Sequence, residues 1–144
     1  MVRYVLAVGA SGVATSFTDW LFMGKLFHRR YLETPETWRI KRGIGPETGP
    51  GTGPGQSDVR SIVASSLLGV VSCAAFIWLA RWTDALTVRS ELHMAELVWM
   101  AAAVPIIFSN IVWIRMHPLL GVSHSLGWLA RFVISGLIGG WLLR

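Results

Sequence analysis

Between Arg60 and Arg81 the chain runs 20 residues, SIVASSLLGVVSCAAFIWLA, without one charged side chain. As a helix, such a run spans the roughly 30 Å hydrocarbon core of a bilayer. Lipid offers no water to unpaired backbone groups, so a crossing segment must be helical or part of a closed barrel. A second run, LVWMAAAVPIIFSNIVWI at 97–114, spans 18 residues between Glu96 and Arg115. Two further stretches reach spanning length if each tolerates a charge within it: 4–27 contains Asp19, with Lys25 near its interfacial end, and 118–143 contains Arg131. Bundle interiors hold such residues when they are paired.

Composition agrees with this reading. Of 144 residues, 53% are hydrophobic and only 15% are charged, against about 25% charged in soluble domains. Eight tryptophans suit a chain whose amphipathic rings anchor at two membrane interfaces. The expected fold is all-α: one polytopic membrane four-helix bundle with spans at about 4–27, 61–81, 93–114 and 119–143. A cleaved leader is the rival reading of the first span, with Arg3, an apolar core and small residues at 10–14. The run resumes through WLFMGKLF to full span length, which a leader does not do.

The sizeable polar segment lies between the first two spans. TPETWRIKRG, 34–43, reads as a short interfacial helix, with Thr34 as cap, Pro35 in the first turn and Gly43 as stop. Trp38 and Ile40 can dip into the interface while charged neighbours meet headgroups. GIGPETGPGTGPGQS, 43–57, has nothing to bury and reads as a flexible Gly/Pro loop. It carries no GxxxxGK phosphate loop.

The net charge of +5 raises the question of nucleic acid. No basic face with interleaved aromatics supports that partner. Anionic lipid headgroups meeting Arg29, Arg30, Arg39, Lys41 and Arg42 account for the excess. Orientation follows from Lys and Arg placement. The side bearing the first and third loops holds Lys25, Arg29, Arg30, Arg39, Lys41, Arg42, Arg60 and Arg115; the other holds Arg3, Arg81, Arg89 and Arg144. Eight against four puts residues 28–60 in the cytoplasm and both termini outside.

Asp19 lies eight residues before Phe27, about 12 Å below the cytoplasmic end at 1.5 Å per residue. Arg131, seven residues after His124, reaches nearly the same depth from the same end. Small or polar residues flank both: Gly12, Thr15 and Ser16 beside Asp19, and His124, Gly127, Ser135 and Gly139 beside Arg131. The two are expected to form an intramembrane polar pair. Thr15, Asn110, His28, His117 and His124 are candidates for an adjoining polar cavity. Pro105 removes the hydrogen bond to the Ala101 carbonyl and bends the third span near Asn110.

His28, His117 and His124 fall at the cytoplasmic ends of spans. No acidic or cysteine co-ligand has metal spacing beside them. The lone Cys73, inside an apolar run, neither staples the fold nor completes a CxxC site. No catalytic residue, metal or cofactor is therefore assigned. Small-residue stripes at Ser65, Gly69 and Cys73, and at Gly136 and Gly140, fit close helix packing within the chain or against a second copy.

A first span running into TDWLFMGKLFHRRYLETPETWR, followed by three more, resembles a group of small uncharacterised bacterial four-helix membrane proteins, described as a domain of unknown function. The resemblance implies a bacterial inner-membrane bundle and no reaction. Three function classes follow. A non-catalytic scaffold or accessory subunit fits the want of any nucleophile, cofactor or metal signature. A small transporter or channel would use Asp19, Arg131, Asn110 and the Pro105 bend. An enzyme acting on lipid or quinone would use the interfacial histidines as acid or base.

The charge asymmetry sets a test. Cysteines introduced by Pro50→Cys and Leu86→Cys are expected to label from opposite sides of the membrane, position 50 from the cytoplasm. Labelling of position 50 from outside intact cells would reverse the orientation, and labelling of both from one side would overturn the span count.

Overall fold

A computed structural model of the chain describes residues 1–29, 56–85, 87–114 and 116–144. The expected interfacial helix, positions 43–55 of the Gly/Pro segment, and Arg30, Arg39, Lys41, Arg42 and Arg115 lie outside these residues. Among the described residues the structure is all-α, with four helices and no strand. We number them α1 (Val2–Leu21), extended by a π-helical turn at Phe22–Leu26; α2 (Gln56–Trp82); α3 (Val88–Trp113); and α4 (Pro118–Leu142).

Helices α2, α3 and α4 are long and apolar enough to cross a membrane. Helix α1, which carries Arg3 and Asp19, falls short of them in apolarity. Two boundaries correct the sequence reading. Helix α2 begins at Gln56, so Gln56, Ser57 and Arg60 belong to it and not to the loop. A helix propagates by adding one bond per residue and does not stop where the apolar run stops. Helix α3 begins at Val88, five residues before the expected 93, because Thr87 and Ser90 exchange side-chain and backbone hydrogen bonds in a capping box.

The α2–α3 turn is fixed locally. Asp84 adopts a left-handed backbone, φ 55°. The Ala85 N–H donates to the Ala80 carbonyl at 2.8 Å, and the Asp84 N–H to that of Arg81 at 3.2 Å. That is the Schellman ending of a helix. At the opposite end, His117 caps α4: its Nδ1 accepts from the Leu119 N–H at 3.2 Å, with Pro118 in the first turn.

Helix α3 accommodates Pro105 by widening. Trp99–Ala103 form a π-helical turn in which the Val104 N–H reaches the Trp99 carbonyl. The looser turn moves the backbone ahead of a residue that has no N–H to give. The turn is tied to α4: Trp99 Nε1 donates to the Ser125 carbonyl at 2.9 Å, with its hydroxyl at 3.1 Å.

Helix α4 packs against all three others. In its most apolar stretch 44% of residues are buried, against 17% in α3, so α4 is the axis of the bundle. Ala7, Phe76, Ile77, Ala95 and Phe132 form a core drawn from all four helices, with the Phe76 and Phe132 rings stacked at 5.4 Å. Outward faces carry large apolar residues such as Leu67, Val71, Ile106 and Val112. Exposed tryptophans cluster near the helix ends: Trp78, Trp82 and Trp141 at one end, Trp20 and Trp113 at the other. Arg3 donates to the carbonyl of Arg144 at 3.1 Å, so both termini share one end of the molecule.

The small-residue stripes serve contacts inside the chain. A Cβ at Gly140 would stand 2.8 Å from Val88 Cα, and one at Gly136 would stand 3.2 Å from the Glu91 carbonyl oxygen. Backbones that close leave no room for a side chain. Gly140→Ala is expected to lower stability by about 1 to 3 kcal/mol through overpacking. Gly9→Ala, whose methyl would meet nothing within 4 Å, is expected to raise it by roughly 0.5 to 1 kcal/mol. Reversible unfolding in mixed micelles measures both, and equal effects would show that the α3–α4 seam is not held this tightly.

Candidate functional site

Helix α1 handles its polar residues before it reaches Asp19. Ser16 Oγ donates to the Gly12 carbonyl at 2.8 Å and Thr18 Oγ1 to the Thr15 carbonyl at 2.8 Å. Buried Thr15 donates to the Gly12 carbonyl at 3.2 Å and lies 3.7 Å from Cys73 Sγ on α2. Each of these three hydroxyls is satisfied by its own helix, whereas buried Ser11 Oγ has no partner among the described residues.

Asp19 is different, because a carboxylate needs a donor from elsewhere. Arg131 of α4 supplies it: Nη2 donates to Asp19 Oδ2 in an ion pair linking residues 112 apart in sequence. The Arg131 guanidinium is nearly enclosed, its side chain 10% exposed against 31% for Asp19. It stands over the Trp128 ring at 4.7 Å, an attraction between cation and π-face. Gly69 of α2 forms the opposite wall: a Cβ there would come within 3.2 Å of Nη2. Gly127 opens the α4 surface next to Asp19, its missing Cβ 3.8 Å from Oδ1. Four residues thus make one holder: an anion, a ring and two glycines.

A pocket of about 230 Å³ opens beside the pair, lined by Asp19, Ser65, Leu68, His124, Gly127, Trp128 and Arg131. Of the proposed cavity residues, His124 is in this pocket. Thr15 is buried against α2, His28 is exposed beyond the π turn, and His117 is occupied as a helix cap. Asn110 is half-buried near the end of α3, where its carbonyl accepts from the Ile114 N–H at 2.9 Å. The structure does not gather these with the pair. The three histidines part because each follows a different helix end: one past a π turn, one at a cap, one a turn and a half into α4. Among the described residues no three His, Cys, Asp or Glu side chains come together as metal ligands.

One residue escaped the sequence reading. Glu91, on the first turn of α3, is 1% exposed and its Oε2 has no hydrogen-bond partner. Its carboxyl lies against Gly139 of α4. The available signal was the GxxGG spacing of Gly136, Gly139 and Gly140 at the end of α4, which announces a helix packed close enough to bury whatever faces it.

A family model described as a protein of unknown function (DUF1761) matches residues 6–140. No curated protein and no solved structure matches the chain.

The geometry of the pair makes a quantitative prediction. Removing one partner of a buried ion pair costs about 3 to 5 kcal/mol, whereas replacing both can be nearly neutral. Asp19→Asn and Arg131→Leu are each expected to lower thermal stability in detergent, and the double variant to recover much of the loss. Strictly additive losses would mean that the two residues are energetically independent.

Proposed function

The chain belongs to the DUF1761 family of proteins of unknown function, and on that footing we propose that it is a four-span integral membrane protein acting as a non-catalytic scaffold or accessory subunit. The observation that carries this reading is how the Arg131 guanidinium is held. It is bonded to Asp19, covered by Trp128 and walled by Gly69. A charge held on three sides works as a clamp between α1, α2 and α4. Its presence also makes α1 acceptable as the fourth span, since a charge at mid-helix costs roughly 2.5 to 3.5 kcal/mol when unpaired.

In this reading the membrane is the bacterial inner membrane, residues 28–60 are cytoplasmic and both termini are outside. The Lys and Arg asymmetry supports that orientation; the meeting of Arg3 with the Arg144 carbonyl supports only the placing of residues 3 and 144 on one common side. Anionic headgroups are the partners of Arg29, Arg30, Arg39, Lys41 and Arg42. The stripe glycines at 136 and 140 are already occupied by α3, so a second copy would dock on another face.

A second reading, transport of a small solute or ion, is favoured by the pocket at Asp19, Ser65 and His124. Intramembrane ionisable residues beside a cavity are what a substrate path uses. The histidine-based enzyme reading draws less support, since His117 Nδ1 already serves as an acceptor within its own helix cap.

Proteoliposomes decide between the first two. Vesicles carrying the full chain are expected to be no more permeable to protons, alkali cations or amino acids than empty ones. A flux that appears with the wild type and disappears with the Asp19→Asn, Arg131→Leu double variant, at recovered stability, would replace the scaffold by a transporter.

A further inference from the structure

Glu91 is a second carboxyl in the bundle, and it is built into a different environment from Asp19. Its side chain is enclosed, with Oε2 lacking any hydrogen-bond partner. The enclosure is shaped by α4, where a Cβ on Gly139 would stand 3.2 Å from Oε1 and 3.3 Å from Cδ, and one on Gly136 would stand 3.4 Å from Glu91 Cβ. Two glycines thus form a notch fitted to this one carboxyl.

The charged groups around it all lie elsewhere. On its own helix Arg89, His93 and Glu96 point to an open recess that they share with Thr87, Leu92 and Arg144. Arg89, His93 and Glu96 are exposed. On α4, the helix packed against it, the nearest charges are Arg131, eight residues from Gly139 and bonded to Asp19, and Arg144, whose carbonyl accepts from Arg3. His124 lies a further two turns away, in the Asp19 pocket. On α2, Arg81 and the turn residue Asp84 are exposed. Among the described residues no cation pairs with Glu91.

An anion enclosed without a partner is costly, and the neutral acid is far less so. A carboxylic acid also carries one O–H donor. Ser135 Oγ, one turn before Gly139 on the same face of α4, is likewise buried without a partner among the described residues, and no hydrogen bond joins it to Glu91. A hard metal cation would require six or more oxygens, and among the described residues no acidic cluster offers them. We propose that Glu91 is a reversible proton-binding site set in the α3–α4 seam. The step is simple: the carboxyl O–H breaks, water at the Thr87 end takes the proton, and the carboxylate remains. Glu91 sits one turn from that end, so exchange takes place with the side of the membrane that bears the termini. This inference does not depend on whether the chain is a scaffold or a transporter.

Dicyclohexylcarbodiimide, an apolar reagent, reacts with protonated carboxyls in membranes. Full-length protein in liposomes is expected to be modified at Glu91, as mapped by peptide mass. The label should decline with rising pH along the curve of one titrating group and be lost in Glu91→Gln. Asp19, bonded to Arg131, is expected to stay unlabelled, and exposed Glu96 to react instead with a water-soluble carbodiimide. In the infrared, the carboxylic C=O band should disappear in Glu91→Gln, a variant that keeps the shape of the neutral acid. An unlabelled Glu91 at every pH, in protein that labels once denatured, would overturn the proposal. So would labelling indifferent to pH, and protection by sodium at fixed pH would show a cation site in place of a proton site. Wild-type mapping decides the matter even if the variant fails to fold.

Discussion

An arginine inside an apolar bundle can persist only where its charge is answered, and the answer to Arg131 organises three of the four helices. Asp19 comes from α1, the notch at Gly69 from α2, and Trp128 from α4 itself. Apolar helices gain little by burying apolar faces from lipid tails, so their association rests on close packing and polar contacts. Here both means meet at one point. The hydroxyls of Thr15, Ser16 and Thr18 are turned back onto their own helix, and the guanidinium joins Tyr4 and Trp99 among the polar groups that reach across to another helix.

The two carboxyls of the bundle show how environment divides one chemistry into two. Asp19 is partly exposed to a pocket and bonded to a cation. Glu91 is enclosed against glycine backbone, with no cation paired to it among the described residues. Both depend on α4, which contributes Gly127 beside Asp19 and Gly136 and Gly139 beside Glu91. Small residues on that helix do more than permit packing: they decide which polar groups are solvated, which are paired and which are sealed.

Much of this was legible before any coordinates. Charge-free runs announced α2 and the second half of α3, because lipid penalises charge so heavily that its absence over 18 residues is informative. Counting residues from the expected interface brought Asp19 and Arg131 to one depth, since a helix converts sequence distance into height at a fixed rate. The start of α3 was hidden for the same reason that α2 was plain. Arg89, Glu91 and Glu96 interrupt the apolar count, although one of the three faces inward. Which one does so is decided by Gly136 and Gly139, more than forty residues downstream, and no local pattern carries that information. Pro105 signalled a distortion of α3 without its form; a π turn anchored through Trp99 to Ser125 depends on the partner helix. The histidines gathered at one end in projection parted once each took its place as cap, tail or pocket wall.

The separation of 112 residues between Asp19 and Arg131 has a consequence for biogenesis. At a synthesis rate of about 5 to 20 residues per second, α1 is finished on the order of ten seconds before its arginine leaves the ribosome. In the four-span reading, α1 would wait through that interval with an unanswered carboxylate, at the translocon or held near the headgroups. It would settle only when α4 arrives. The insertion of α1 would then depend on a helix whose arginine is made 112 residues after Asp19, so that a ribosome stalled before α4 would leave a protein recognisable to membrane quality control by its unsettled α1.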